Sequence, residues 1–237
     1  MVFMSSHFNQ TVVNSFQNLP LPVMKADFFR LAIMYYEGGI YADVDVQCNK
    51  PIQIWDGNAD NDQGGGGGAA AAAIDKCEVI LGMENDCHVL NWAFASRKNH
   101  PLFQQAMDLS LSRFVNMTID LSQEHFVHET TGPRVFTLAV KDIAKDVGCV
   151  IPNNDNNDTK TYAKDLYRMC RDVLKEKYGL CLYDQQTQES WFKNHYSSQK
   201  KELQSENWLS SWTEEREMKV NEFKLKTNEN SGVKVNE

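Results

Sequence analysis

Gly38-Gly39 separates two stretches of opposite hydrophobic period, and this junction constrains the fold more than any other feature of the chain. On its N-terminal side, residues 22–37 carry Phe28, Leu31, Ala32 and Tyr35 at i, i+3, i+4 and i+7, the stripe of a helix buried along one face. On its C-terminal side, Ile40-Tyr-Ala-Asp-Val-Asp-Val46 alternates with period two. That pattern predicts a strand with Ile40, Ala42, Val44 and Val46 on a buried face and Tyr41, Asp43 and Asp45 on the other. The glycines stop the helix and allow a tight turn, so the expected unit is a helix folded back onto a strand that presents two carboxylates side by side.

The rest of the chain extends this into an alternation of strands and helices. A short apolar strand is expected at 77–82, and a strand or short helix at 89–96. Helices are expected at 101–115, on Leu102, Met107, Leu111 and Phe114, and at 133–147, on Val135, Leu138, Ala139 and Ile143. A charged helix at 162–178 and a strand at 179–183 follow, separated from the preceding helix by the polar loop 153–159. The result is an α/β domain with a mixed sheet flanked by helices. With 237 residues, 42% hydrophobic and 24% charged, there is material for one large domain, expected over 1–220. Residues 58–73, which include five consecutive glycines, read as a low-complexity insertion, and 221–237 as a polar disordered tail.

Two aspartates two apart on one strand face repel unless a cation or a proton lies between them. Magnesium or manganese answers that need, because these ions take a few carboxylates and complete their shell with water and substrate phosphates. The plainer account of Asp43 and Asp45 is a solvated strand face. On the neighbouring helix, Asp27 and Arg30 share a face. They form either a surface ion pair or a set of fixed polar groups, with Arg30 for a phosphate or sugar hydroxyl and Asp27 for a sugar or ribose hydroxyl. The net charge of −8 argues against nucleic acid as a partner. Six cysteines without a Cys-x-x-Cys spacing leave the redox compartment open. No apolar run is long enough to span a bilayer, so any membrane attachment would come from an anchor outside this sequence.

The stretch from Lys25 to Val46 resembles the signature of glycosyltransferase family 32, the DxD sugar transferases that include fungal α-1,6-mannosyltransferases and inositol phosphorylceramide mannosyltransferases, and more distantly the glucosylating domain of large clostridial toxins. The likeness continues in Leu81-Gly-Met-Glu-Asn-Asp86, Asn91-Trp-Ala-Phe-Ala-Ser96, Asn99-His-Pro101 and Thr131-Gly-Pro133, so that it covers residues 19–137. The resemblance implies a GT-A-like, Rossmann-related fold, here expected to lack the family's first N-terminal strand. It implies Mn2+ or Mg2+, a nucleotide-sugar donor (GDP-mannose favoured, a UDP-hexose possible), a glycan or glycolipid acceptor, and transfer with retained anomeric configuration.

Carried onto this sequence, the resemblance makes Asp43 and Asp45 metal ligands. Asp27, Arg30, Asp43, Asn91, Ser211 and Trp212 become donor-binding residues, and Glu84, Asn85 and Asp86 lie in the donor or acceptor vicinity. No side chain is assigned as a nucleophile. The Golgi and the secretory pathway follow as the expected location. His195, beside Tyr196, is a second candidate for a histidine of the site, with a structural role as its alternative. Two other functions compete: a truncated transferase-like domain that binds carbohydrate without turnover, and a haloacid-dehalogenase-like phosphohydrolase, whose Asp-x-Asp-x-Val pattern Asp43-Val-Asp-Val46 matches. The phosphohydrolase would need a lysine and an acidic pair on separate loops, whereas Lys141, Asp142 and Asp146 fall in one helical pattern.

Overall fold

The computed structural model describes residues 2–51, 77–115, 126–151 and 162–194. The predicted insertion at 58–73, the loop 153–159, the tail 221–237, His195, Ser211 and Trp212 lie outside the described residues.

Two short helices, α1 (Val2–His7) and α2 (Gln10–Asn18), lead into α3 (Pro22–Tyr36), which has proline in its first turn. Four strands form the main sheet: β1 (Gly39–Ala42), β3 (Val79–Gly82), β4 (Ala93–Ser96) and β5 (Leu180–Tyr183), in the order β1-β4-β3-β5. A small second sheet pairs β2 (Val46–Cys48) with β6 (Phe192–Asn194). The remaining helices are α4 (Pro101–Val115), α5 (Phe126–Thr130), α6 (Pro133–Asp146), α7 (Tyr162–Asp165), α8 (Arg171–Tyr178) and α9 (Gln185–Trp191). A π-helical turn, Leu166–Cys170, joins α7 to α8, so the expected helix at 162–178 is present but locally widened. The expected α/β architecture with a mixed sheet is what the chain adopts.

Both faces of the sheet are used, and the alternation of side chains divides them. Val79, Leu81 and Phe94 point into the main core formed with α3, α4 and α6, while Ile80, Ala93 and Ala95 point into a smaller cluster with Trp191 and Phe192. β4 is antiparallel to both β1 and β3, and β5 is parallel to β3. The carboxyl ends of β1, β3 and β5 therefore share one edge with the amino end of β4. In open α/β sheets this edge is the usual place for a ligand cleft.

Structure corrects the expectation of one strand over 40–46 with Ile40, Ala42, Val44 and Val46 buried. The strand stops at Ala42, and the amide of Val46 donates to the carbonyl of Asp43 at 3.1 Å, closing a turn with Val44-Asp45 at its tip. Ile40 is 53% exposed and Val44 fully so, whereas Tyr41 faces the main core and stacks on its cross-strand partner Phe94 at 5.3 Å. The period of two is right and the choice of buried face is reversed. An aromatic ring has more area to bury against α3 than the aliphatic set has to gain on the other side, which at β1 is uncovered among the described residues.

Two disulfides join cysteines that the sequence could not pair. Cys77–Cys181 ties the segment entering β3 to β5, and Cys149–Cys170 ties the loop after α6 to the π-helical turn.

Candidate active site

Gly38 and Gly39 take φ of +67° and +92°, and these left-handed conformations reverse the chain so that β1 runs back beside α3. A Cβ on Gly38 would lie 2.5 Å from the amide nitrogen of Lys98, so the position has no room for a side chain. This turn sets the helix against the face of β1 that carries Tyr41. Asp43, two residues on, emerges on the same side.

The product is a polar cluster sealed into the core edge. Asp27 and Arg30 are 5% and 7% exposed, and Arg30 Nη2 stands 3.2 Å from Asp27 Oδ1 and 3.5 Å from Asp43 Oδ1. Arg30 Nη1 donates to the carbonyl of Asn91 at 2.6 Å, and the guanidinium lies over the Tyr41 ring, 5.1 Å from its centroid. Tyr41 donates its hydroxyl proton to Asp43 Oδ1 at 2.7 Å, and Thr131 Oγ1 donates to Asp27 Oδ2 at 3.1 Å. The amide of Asp43 continues the β1–β4 ladder by donating to the carbonyl of Trp92 at 2.8 Å. Both carbonyls of Asn91-Trp92 therefore hold the site, one through Arg30 and one through Asp43.

Burial pushes the Asp27 carboxyl up to about 6, although Arg30 and Thr131 both favour its charged form. Burial also raises the Tyr41 hydroxyl, and its bond to Asp43 raises it further, so it stays a proton donor to that carboxylate. Glu84 follows β3 at the same edge, where burial lifts its carboxyl above the ordinary range against an opposing hydrogen bond from the Trp92 side chain. Arg30 Nε is buried without a hydrogen-bond partner, a defect that costs on the order of 1–3 kcal/mol and needs a reason in a site otherwise so fully bonded.

The sequence-predicted residues divide accordingly. Asp27, Arg30, Asp43 and Asn91 are brought together, Asn91 through its carbonyl. Asp45 stands at the turn tip two residues from Asp43, half-buried and without an ion pair or side-chain hydrogen bond among the described residues. Asn85 instead closes its own loop, its Oδ1 accepting from the amides of Cys87 and His88 at 2.8 and 2.9 Å. Asp86 is exposed and pairs with Lys164 at 2.7 Å. Sequence reasoning gave no role to Tyr41 or Thr131. The first was legible as the alternation partner of Asp43; the second stood out only as part of the Thr131-Gly-Pro133 block, and its contact with Asp27, 104 residues away, had no local signal.

Among the described residues no group of three or more His, Cys, Asp or Glu could hold a metal by itself. Two neighbouring carboxylates, one engaged by Tyr41 and one unengaged, fit an ion that takes few protein ligands and the rest from phosphate and water. A cleft of about 790 Å3 lined by Glu78, Arg97, His100, Lys175 and Tyr178 lies at the opposite edge of the sheet and is separate from this cluster.

Residues 1–62 match the family model described as "Glycosyltransferase sugar-binding region containing DXD motif". The matched segment contains Asp27, Arg30, Tyr41 and Asp43, the four cluster side chains contributed by α3, β1 and the turn after it, together with Asp45 at the turn tip. Over these residues the chain is similar to the sugar-binding region of DXD-motif glycosyltransferases. Its relatives include the initiation-specific α-1,6-mannosyltransferases of Candida albicans, 23% identical over 54% of this chain and 37% of that one, and of Schizosaccharomyces pombe, 26% identical over 55% and 34%. An uncharacterized glycosyltransferase of Acanthamoeba polyphaga mimivirus is 26% identical over 66% of this chain and 51% of its own length. The chain thus spans about a third of the fungal relatives it matches. The solved PaToxG glycosyltransferase aligns with 71% of this chain at 21% identity and a TM-score of 0.34.

Proposed function

We propose that this glycosyltransferase transfers a hexose, mannose in preference, from a nucleotide sugar to a glycan or glycolipid acceptor with retention of configuration, aided by Mn2+ or Mg2+ held at Asp43 and Asp45. The observation that carries this reading is the buried Asp27–Arg30–Asp43 cluster beside the unengaged Asp45. An arginine held between two carboxylates at the carboxyl end of β1 is suited to fixing sugar hydroxyls, and the aspartate pair to a diphosphate-bound cation. The family match supports transfer, and the names of the fungal relatives favour mannose.

In this mechanism Asp27 and Arg30 orient the donor sugar by hydrogen bonds to its hydroxyls, and the orphaned Arg30 Nε supplies a donor that a ligand oxygen would satisfy after a small shift of the side chain. Tyr41 fixes the Asp43 carboxylate through its hydroxyl hydrogen bond. A divalent ion, when bound, would neutralise charge on the departing diphosphate. The bond from the anomeric carbon to the diphosphate oxygen breaks, the acceptor hydroxyl oxygen forms the new bond on the same face, and its proton passes to the departing oxygen. No protein nucleophile is needed.

A haloacid-dehalogenase-like mechanism fits the geometry less well. Lys141, Asp142 and Asp146 all lie on α6, and the Lys141 ammonium stands over the Tyr162 ring. The two disulfides suit folding in an oxidising compartment, which agrees with a secretory location.

Calorimetric titration with GDP and UDP, with and without Mn2+, followed by hydrolysis assays over a panel of nucleotide sugars, tests the proposal. Asp45→Asn is expected to abolish metal-dependent hydrolysis. A folded protein that binds neither nucleotide in Mn2+ overturns the enzyme reading, and unchanged turnover in Asp45→Asn overturns the metal assignment.

A further inference from the structure

We infer that Thr131 is a positioning residue of the donor site: its hydroxyl fixes the Asp27 carboxylate so that Arg30 stays between Asp27 and Asp43. The inference rests on the proposed donor site and extends it to a residue on a separate element.

Thr131 lies at the corner between α5 and α6, 2% exposed. That corner is rigid for local reasons. The carbonyl of Val127 receives the amides of both Thr131 and Gly132, at 2.9 and 3.0 Å. A Cβ on Gly132 would lie 2.8 Å from the Cα of His128, so the chain passes too close for any other residue. Pro133 then starts α6 at its first position. The side chain of Thr131 is therefore presented by a backbone with little freedom.

Its one hydroxyl proton has two acceptors within reach, Asp27 Oδ2 at 3.1 Å and the Val127 carbonyl at 3.4 Å. The Val127 oxygen already accepts two amides, whereas Asp27 Oδ2 is nearer and carries charge when ionised, so the proton goes to Asp27. Asp27 then has one oxygen on Thr131 and the other on Arg30, which fixes the plane of the carboxylate. Arg30 carries that constraint to Asp43 and to the Asn91 carbonyl. Without the hydroxyl, the carboxylate is free to rotate about its last torsion, and Arg30 loses the fixed side of its clamp.

The test compares wild type with Thr131→Val, which keeps the shape and removes the hydroxyl, and Thr131→Ser, which keeps the hydroxyl. Turnover is measured as hydrolysis of the best substrate in a UDP- and GDP-hexose panel with Mn2+, together with 13C NMR titration of the Asp27 carboxyl. Thr131→Val is expected to lose about tenfold or more in kcat/KM, on the scale of one hydrogen bond to a charged group. Its Asp27 titration midpoint should move upward from about 6, because a bond that favours the charged form is gone. Thr131→Ser is expected to restore both readouts. Wild-type turnover in Thr131→Val overturns the inference, as does an unmoved Asp27 midpoint. If wild type turns over no nucleotide sugar, the proposed function fails on its own account, and the carboxyl titration still decides whether Thr131 holds Asp27.

Discussion

Replacing Arg30 by methionine should destabilise the protein by an amount that depends on pH in a way the geometry fixes. Asp27 is buried, and its folded-state value of about 6 stands above the ordinary 3.8. The unfolded chain therefore ionises Asp27 first as pH rises. Between about 4 and 6 wild type loses stability, by roughly 3 kcal/mol over that window, and above 6 the curve flattens because the folded state ionises too. Arg30 is the main charge that lets the folded state ionise. In Arg30→Met the folded carboxyl keeps its proton to higher pH, so the loss continues past 6.

The extra destabilisation at pH 7 relative to pH 5 is then about 1.4 kcal/mol, one pH unit above the wild-type midpoint. A pH-independent loss adds to it from the vanished bond to the Asn91 carbonyl, about 1.5–3 kcal/mol for a charged donor. Urea denaturation of both proteins at pH 5 and 7 measures the difference directly. Equal destabilisation at the two pH values would falsify the assignment of Asp27 as the charge that Arg30 offsets.

Three further outcomes follow from the same contacts. Nucleotide-sugar hydrolysis should fall as pH is lowered through about 6, where Asp27 gains its proton and Arg30 loses a charged partner, and Asp27→Asn should be less active with no such acid limb; an acid limb that survives in Asp27→Asn counts against this origin. Gly38→Ala should cost at least about 2 kcal/mol, from φ at +67° and a Cβ pressed on backbone atoms of Ser96 and Lys98; an unchanged denaturation midpoint refutes the close approach. Removing the Cys77–Cys181 bridge by double replacement with serine should lower stability by about 3–5 kcal/mol, since the bridge closes a loop of 104 residues; no loss under non-reducing conditions means that the bond does not form.

Local pattern made much of this protein legible. Helical period gave α3, α4 and α6 nearly to the residue, and alternation placed Tyr41 and Asp43 on one side of β1, because both signals depend on geometry within one element. Alternation could not say which side of β1 is buried, since that depends on what packs against it, and here Phe94 and α3 lie on the tyrosine side. Nor could it show that the strand ends in a turn at Asp43, which separates Asp43 in the cluster from Asp45 at the tip. Asn85 and Asp86 fitted the resemblance by position, yet one closes its own loop and the other pairs with Lys164.

The sequence by itself determined that a helix folds back through two glycines onto a strand that leads to Asp43 and Asp45, because period and chain reversal are properties of consecutive residues. Only the tertiary structure decided that Thr131, Asp27, Arg30, Asn91, Tyr41 and Asp43 form one connected set. Those contacts cross up to 104 residues and depend on which faces the elements bury against one another.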